Sequence, residues 1–145
     1  MADIENQNAK RDEIVRTFRK YARLGLSDCS LNPIQIYKKI DVLCSARRTK
    51  LDMLAVFDTL RLLSLKGDEE TLLAIDRVYF AGKAHRLTKY ERGRRVCDLA
   101  SNQYCDDRTV YRRLKKARDV YEGVREREGL ILDGVYSERY KFQEK

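Results

Sequence analysis

Apolar positions recur at three- and four-residue spacing along most of this chain, and glycines and a single proline interrupt the recurrence. Between residues 10 and 24, Ile14, Val15, Phe18 and Ala22 fall on one face with Tyr21 beside them, the pattern of an amphipathic helix. Gly25 is its stop. Asn32 as N-cap, with Pro33 at the first helical position, starts a second helix carrying Ile36, Ile40 and Leu43 on one side. The basic cluster Arg47-Arg48-Thr49-Lys50 marks a joint or an exposed turn. Residues 51–66 are apolar around most of a helix, and Asp52, Thr59 and Lys66, seven apart, leave a narrow polar stripe. Such a helix belongs in the middle of a bundle or in a subunit interface. Gly67 ends it, Asp68 caps the next helix, which runs to about Phe80, and Gly82 is that helix's C-terminal glycine.

Strand-like alternation is absent before residue 129. The tail from Gly129 to Tyr140 sets Asp133-Gly134 between apolar residues, a hairpin signal. There is no internal repeat and no low-complexity segment.

Composition narrows the classes. At 145 residues, 43% hydrophobic and 37% charged, the chain is too apolar for disorder and long enough to bury a core. No apolar run approaches the ~20 residues that span a bilayer. The first 13 residues lack the apolar core of a signal peptide, which predicts a cytoplasmic protein. Cys29, Cys44, Cys97 and Cys105 form no C-x-x-C pair, and His85 is the only histidine. The expectation is four reduced, mostly packed thiols, with no metal and no cofactor.

Charge changes the picture more. Residues 83–118 carry 12 Lys and Arg against 4 Asp and Glu, which equals the net +8 of the whole chain. Concentrated basicity marks a nucleic-acid or anionic-membrane partner. A membrane-surface helix needs Trp, Phe or Leu on one strong face. This stretch has no Trp and no Phe, so DNA or RNA is the better partner and no membrane is expected.

Within it, Val96, Leu99 and Ala100 give one helix an inward face, and Ser101-Asn102-Gln103-Tyr104 breaks the periodicity. Asp106 then offers a carboxylate to the free N–H groups of a new helix, and Asp107 adds favourable charge at its positive end. Val110, Leu114, Ala117 and Tyr121 make the buried face of that helix. Asp107, Arg108, Tyr111, Arg112 and Lys115 fall opposite. Arginine bridges guanine acceptors in bidentate fashion, and both Lys and Arg meet phosphate. Thr109 bonds a phosphate or caps its own turn. The candidate DNA-binding residues are Asp107, Arg108, Thr109, Tyr111, Arg112, Arg113, Lys115 and Lys116. A merely solvated basic face has similar composition. The small residue Ala100 before the turn, the short break and the confinement of the charge excess argue for more.

The same residues carry a resemblance. Leu99-Ala100, then Cys105-Asp106-x-x-Thr109-Val110-Tyr111-Arg112-x-Leu114-x-x-Ala117, resembles the helix-turn-helix of the sigma-factor region 4 class. More specifically, it resembles small phage transcriptional activators of the ArpU/RinA type. In these a helix ending in an aromatic pair, here Asp76-Arg77-Val78-Tyr79-Phe80, comes before the motif. The resemblance covers roughly residues 70–120 and implies that the helix from Asp106 is the recognition helix. Family members usually have an apolar residue in place of Gln103 and often Gly in place of Tyr104, which predicts a turn that is longer or differently packed.

The expected fold is all-α: a helical bundle with a C-terminal helix-turn-helix and a short C-terminal β-hairpin. Residues 1–66 form an N-terminal helical region for dimerisation, and 67–145 the DNA-binding region. The leading reading is a sequence-specific double-stranded DNA-binding transcription regulator, phage or prophage related. A DNA-packaging or recombination accessory of the small-terminase kind and a helical module docking RNA polymerase stay open. An enzyme is not expected: His85 stands alone, no Gly-rich phosphate loop occurs, and Asp68-Glu69-Glu70 reads as a helix start. Leu54, Phe57, Leu60 and Leu63 serve either a homodimer interface or the monomer's own core.

Overall fold

Residues 2–82 and 86–130 are described by the computed structural model. Among them six α-helices and no strands occur: α1 (Ala2–Arg23), α2 (Pro33–Leu43), α3 (Arg47–Leu65), α4 (Glu69–Ala74), α5 (Lys89–Asn102) and α6 (Asp107–Leu130). The chain is an all-α bundle.

The apolar stripes seen in sequence become its core. Ile14, Val15, Phe18, Tyr21 and Ala22 of α1 are buried, and so are Val110, Leu114, Ala117 and Tyr121 of α6. Phe18 sits at the centre of an aromatic cluster, with ring centroids 5.5 Å from Tyr79, 6.2 Å from Phe80 and 5.6 Å from Tyr121. Burying a side chain of this size contributes about 1.5–3 kcal/mol. One core cluster runs from Ile14 to Val124, so the predicted boundary at residues 66/67 falls at a turn over a continuous interior. α3 packs against α1, α2, α4 and α6. It buries Leu54, Phe57 and Leu63 within the chain, with Leu60 partly buried against them.

The caps form where their residue types call for them. Asn32 and Gln35 make a reciprocal capping box at the start of α2. The Asp68 carboxylate accepts from the Thr71 backbone N–H at 3.2 Å. α4 continues as a π-helical turn, Ile75–Phe80, in which the Ala81 N–H donates to the Asp76 carbonyl at 3.1 Å. This wider turn brings the consecutive residues Val78, Tyr79 and Phe80 all into the core.

Five sequence expectations need correction. The cluster Arg47-Arg48-Thr49-Lys50 is the first turn of α3 and not a joint. The chain turns one step earlier, at Cys44–Ala46, where Cys44 is extended. Leu43 is half-exposed, and Cys44 takes the buried place beyond Ile40. α1 begins at Ala2, eight residues before the predicted start at residue 10, and its residues Ile4 to Lys10 are exposed. Two of the three polar-stripe residues of α3 find partners within the fold while Lys66 stays exposed: Thr59 is buried with its hydroxyl on the Ala55 carbonyl at 2.7 Å, and Asp52 accepts from Arg125 of α6 at 2.7 Å. Of the four thiols only Cys44 is buried; Cys29 and Cys97 are exposed and Cys105 is half-buried. The predicted Asp133-Gly134 hairpin and His85 lie outside the described residues, and Gly129 and Leu130 close α6.

Candidate nucleic-acid interface

Thr88 caps α5 through the Glu91 N–H at 3.1 Å, and Val96, Leu99 and Ala100 bury its inner face. Gln103 to Asp106 separate α5 from α6. The α5 end is a Schellman turn: the Cys105 N–H donates to the Ala100 carbonyl at 3.0 Å and the Tyr104 N–H to the Ser101 carbonyl at 3.3 Å. That geometry requires a left-handed residue. Tyr104 supplies it with φ 53°, where glycine is the usual occupant, and its side chain is 98% exposed. The break is therefore short, at four residues, and closed by its own backbone. The Gln103 amide oxygen accepts from Arg113 Nη1 at 2.6 Å.

Asp106 starts α6. Its carboxylate accepts from the Thr109 N–H at 3.0 Å and from the Thr109 hydroxyl at 3.1 Å. The Thr109 backbone bond, then its hydroxyl, and the nearby Arg108 and Arg112 charges hold the Asp106 carboxyl below its ordinary range. Thr109 is thus the donor that completes the Asp106 cap.

The eight candidate residues separate into two sets. Arg108, Tyr111, Arg112 and Lys115 project from the first three turns of α6, opposite its buried stripe. Arg108 and Arg112 make no hydrogen bond or ion pair among the described residues. Tyr111 is 47% exposed, and its hydroxyl reaches α5, 3.8 Å from where a Cβ on Gly93 would stand. Lys115 pairs with Asp119 one turn on, at 3.4 Å. The rest bond within the fold. Arg113 also meets Glu70 at 3.2 Å, and Lys116 meets the Asp68 carboxylate. Both tie α6 to the acidic start of α4. Asp107 accepts the Cys97 S–H at 3.1 Å, joining α6 to α5 and pushing the Cys97 thiol up.

Three arginines that sequence reasoning did not single out position this unit. Arg19, buried on α1, donates to the Tyr79 carbonyl at 2.9 Å and to the Ala81 and Gly82 carbonyls at 2.6 Å. Arg95 of α5 donates to the Val78 and Ala81 carbonyls at 2.9 and 2.8 Å. These carbonyls end the helix that precedes α5, so two cations neutralise its negative pole. The approach is close: a Cβ on Gly82, at φ +65°, would lie 2.7 Å from the Arg95 guanidinium. Arg118 donates to the Tyr79 hydroxyl at 2.9 Å. No signal in the sequence distinguishes these arginines from solvated ones, because their acceptors lie up to 63 residues away.

Comparison with protein-family models, curated proteins and solved structures finds no match to this chain. Among the described residues no helix is long and apolar enough to cross a membrane, and no group of three or more His, Cys, Asp or Glu is placed to hold a metal.

Proposed function

We propose that this chain is a sequence-specific double-stranded DNA-binding transcription regulator, phage or prophage related, with α5, the four-residue turn and α6 as its helix-turn-helix. The observation that carries the reading is the first half of α6. One side of it is fully buried, and the other presents Arg108, Tyr111, Arg112 and Lys115, with the two arginines in no hydrogen bond or ion pair among the described residues. A helix held from behind in this way presents its early side chains to base edges in a major groove. The resemblance of residues 70–120 to sigma region 4 and to the phage activators points the same way.

Selection from a pool of random duplex DNA, followed at two salt concentrations, tests it. An enriched motif supports the regulator. Salt-sensitive binding without a motif points to a packaging or recombination accessory. A second reading, a module that docks RNA polymerase, draws on the exposed Tyr104 and half-exposed Tyr111 beside the arginines, since aromatic residues and Arg are enriched at protein interfaces. Absence of duplex binding at low salt would favour it. A palindromic motif would indicate a homodimer. Within residues 34–66 the apolar surface left for self-association is Ile34, Val42, Leu43 and Leu65, and a clean monomer in sedimentation at micromolar concentration would remove the dimer.

A further inference from the structure

A second concentration of cations lies outside the α6 face. α1 and the segment leading into α5 enclose a groove of about 620 Å³. Arg16, Arg19 and Arg23 enter it from α1, spaced three and four apart so that one helix face carries all three. Arg86, Lys89 and Arg92 enter from the other side. Asp12 is the single carboxylate in the lining, and Arg92 and Arg11 share it at 3.7 and 3.5 Å. Arg19 is committed to the carbonyls at Tyr79, Ala81 and Gly82. That leaves Arg16, Arg23, Arg86 and Lys89, all exposed, with no hydrogen bond or ion pair among the described residues.

Four unpaired cations converging on one concavity repel one another, and a multivalent anion removes that repulsion. We infer that this groove binds a small polyphosphate of nucleotide size. Planar guanidinium forks match phosphate oxygens, and several of them favour a ligand carrying several charges. The volume falls within the range of small-molecule sites, and Val15 and Leu87 supply apolar wall for a nucleoside. The site is sunk between helices at the N-terminal end of α5. That end lies roughly 20 Å along the helix axis from the turn to α6, at ~1.5 Å per residue. It is therefore separate from the α6 face, and the inference does not depend on DNA binding.

The test is calorimetric titration of the full chain with inorganic tripolyphosphate and, separately, with adenosine triphosphate. The expected result is saturable one-to-one binding of both, weakened at least about tenfold by Arg23→Ala and by Arg86→Ala but unchanged by Arg112→Ala. Both groove arginines are exposed, and thermal melts of the variants verify that they fold. Absence of saturable binding at millimolar ligand overturns the proposal, as does binding that ignores the groove variants or falls equally with Arg112→Ala. If neither probe binds while the groove variants flatten the salt dependence of duplex DNA binding, the groove is a seat for the DNA backbone and the small-ligand site is refuted. Failure of the wild-type chain to bind any duplex would sink the regulator reading and leave the groove result standing.

Discussion

Arg112 and Arg113 are neighbours on α6 and have the same charge, yet they face different tasks. Arg113 is pinned between the Gln103 amide and the Glu70 carboxylate with its side chain only 18% exposed. Arg112 is exposed and unpaired among the described residues. The difference is 100° of helical rotation per residue, which turns one toward α4 and leaves the other opposite the buried stripe. Arg108 goes with Arg112, and Lys116, held by Asp68, goes with Arg113. A basic helix therefore cannot be read by its count of cations. One set holds the helix to the body, and the other stands exposed on its outer face.

The largest effect comes from removing the support that both sets share. Val110 is fully buried beneath α6, and Val110→Asp places an unpaired charge there. We expect loss of the cooperative melt, at a cost of several kcal/mol; a variant melting like the wild type would show that the buried face is misassigned. Next, Arg112→Ala should weaken binding to a selected duplex by roughly 1–3 kcal/mol while leaving the melting temperature unchanged. Arg113→Ala should do the reverse, lowering stability by about 0.2–1 kcal/mol. If the two variants behave alike in both assays, the division of α6 into two sets fails.

The turn between α5 and α6 carries a smaller effect. Tyr104 bears left-handed strain and its side chain packs on nothing, so Tyr104→Gly should stabilise the chain by about 1 kcal/mol in chemical denaturation. A loss of stability would contradict the Schellman geometry. The smallest effect is acid sensitivity at the anchored set. The Lys116 hydrogen bond, opposed by burial and aided by Thr71, holds the Asp68 carboxyl below its ordinary 3.8. Its folded value is depressed, so its contribution is present above 3.8 and is lost as pH falls through the lower folded value. Lys116→Met should lower the stability above that pH and flatten this acid-side loss. An unaltered profile of urea midpoint against pH would show that the pair contributes nothing.

The helices were legible because their signals are local. Asn32-Pro33, the glycines after α1, α3 and the π turn, and the Val110–Tyr121 stripe each specify structure within a few residues. What escaped depends on partners far along the chain. Asp52 and Thr59 look like a solvent stripe until α6 and the helix's own carbonyls receive them. Arg47–Lys50 reads as a joint because cations at a helix start oppose the helix dipole, and nothing local reveals the helix that continues through them. The π turn has no sequence mark. At the candidate interface the cations themselves were legible, but their division into anchored and unpaired was not, because Asp68 and Glu70 lie more than forty residues from Lys116 and Arg113.

Base reading by Arg108 and Arg112 is tested by measuring Arg108→Ala/Arg112→Ala against wild type on a selected duplex and on random duplex, each over a range of salt. The expected result is a large loss on the selected duplex and a small one on random duplex, so that specificity collapses while the fold persists. Equal losses on both, with a shallower salt slope, would make the two arginines phosphate contacts and contradict base reading by this face.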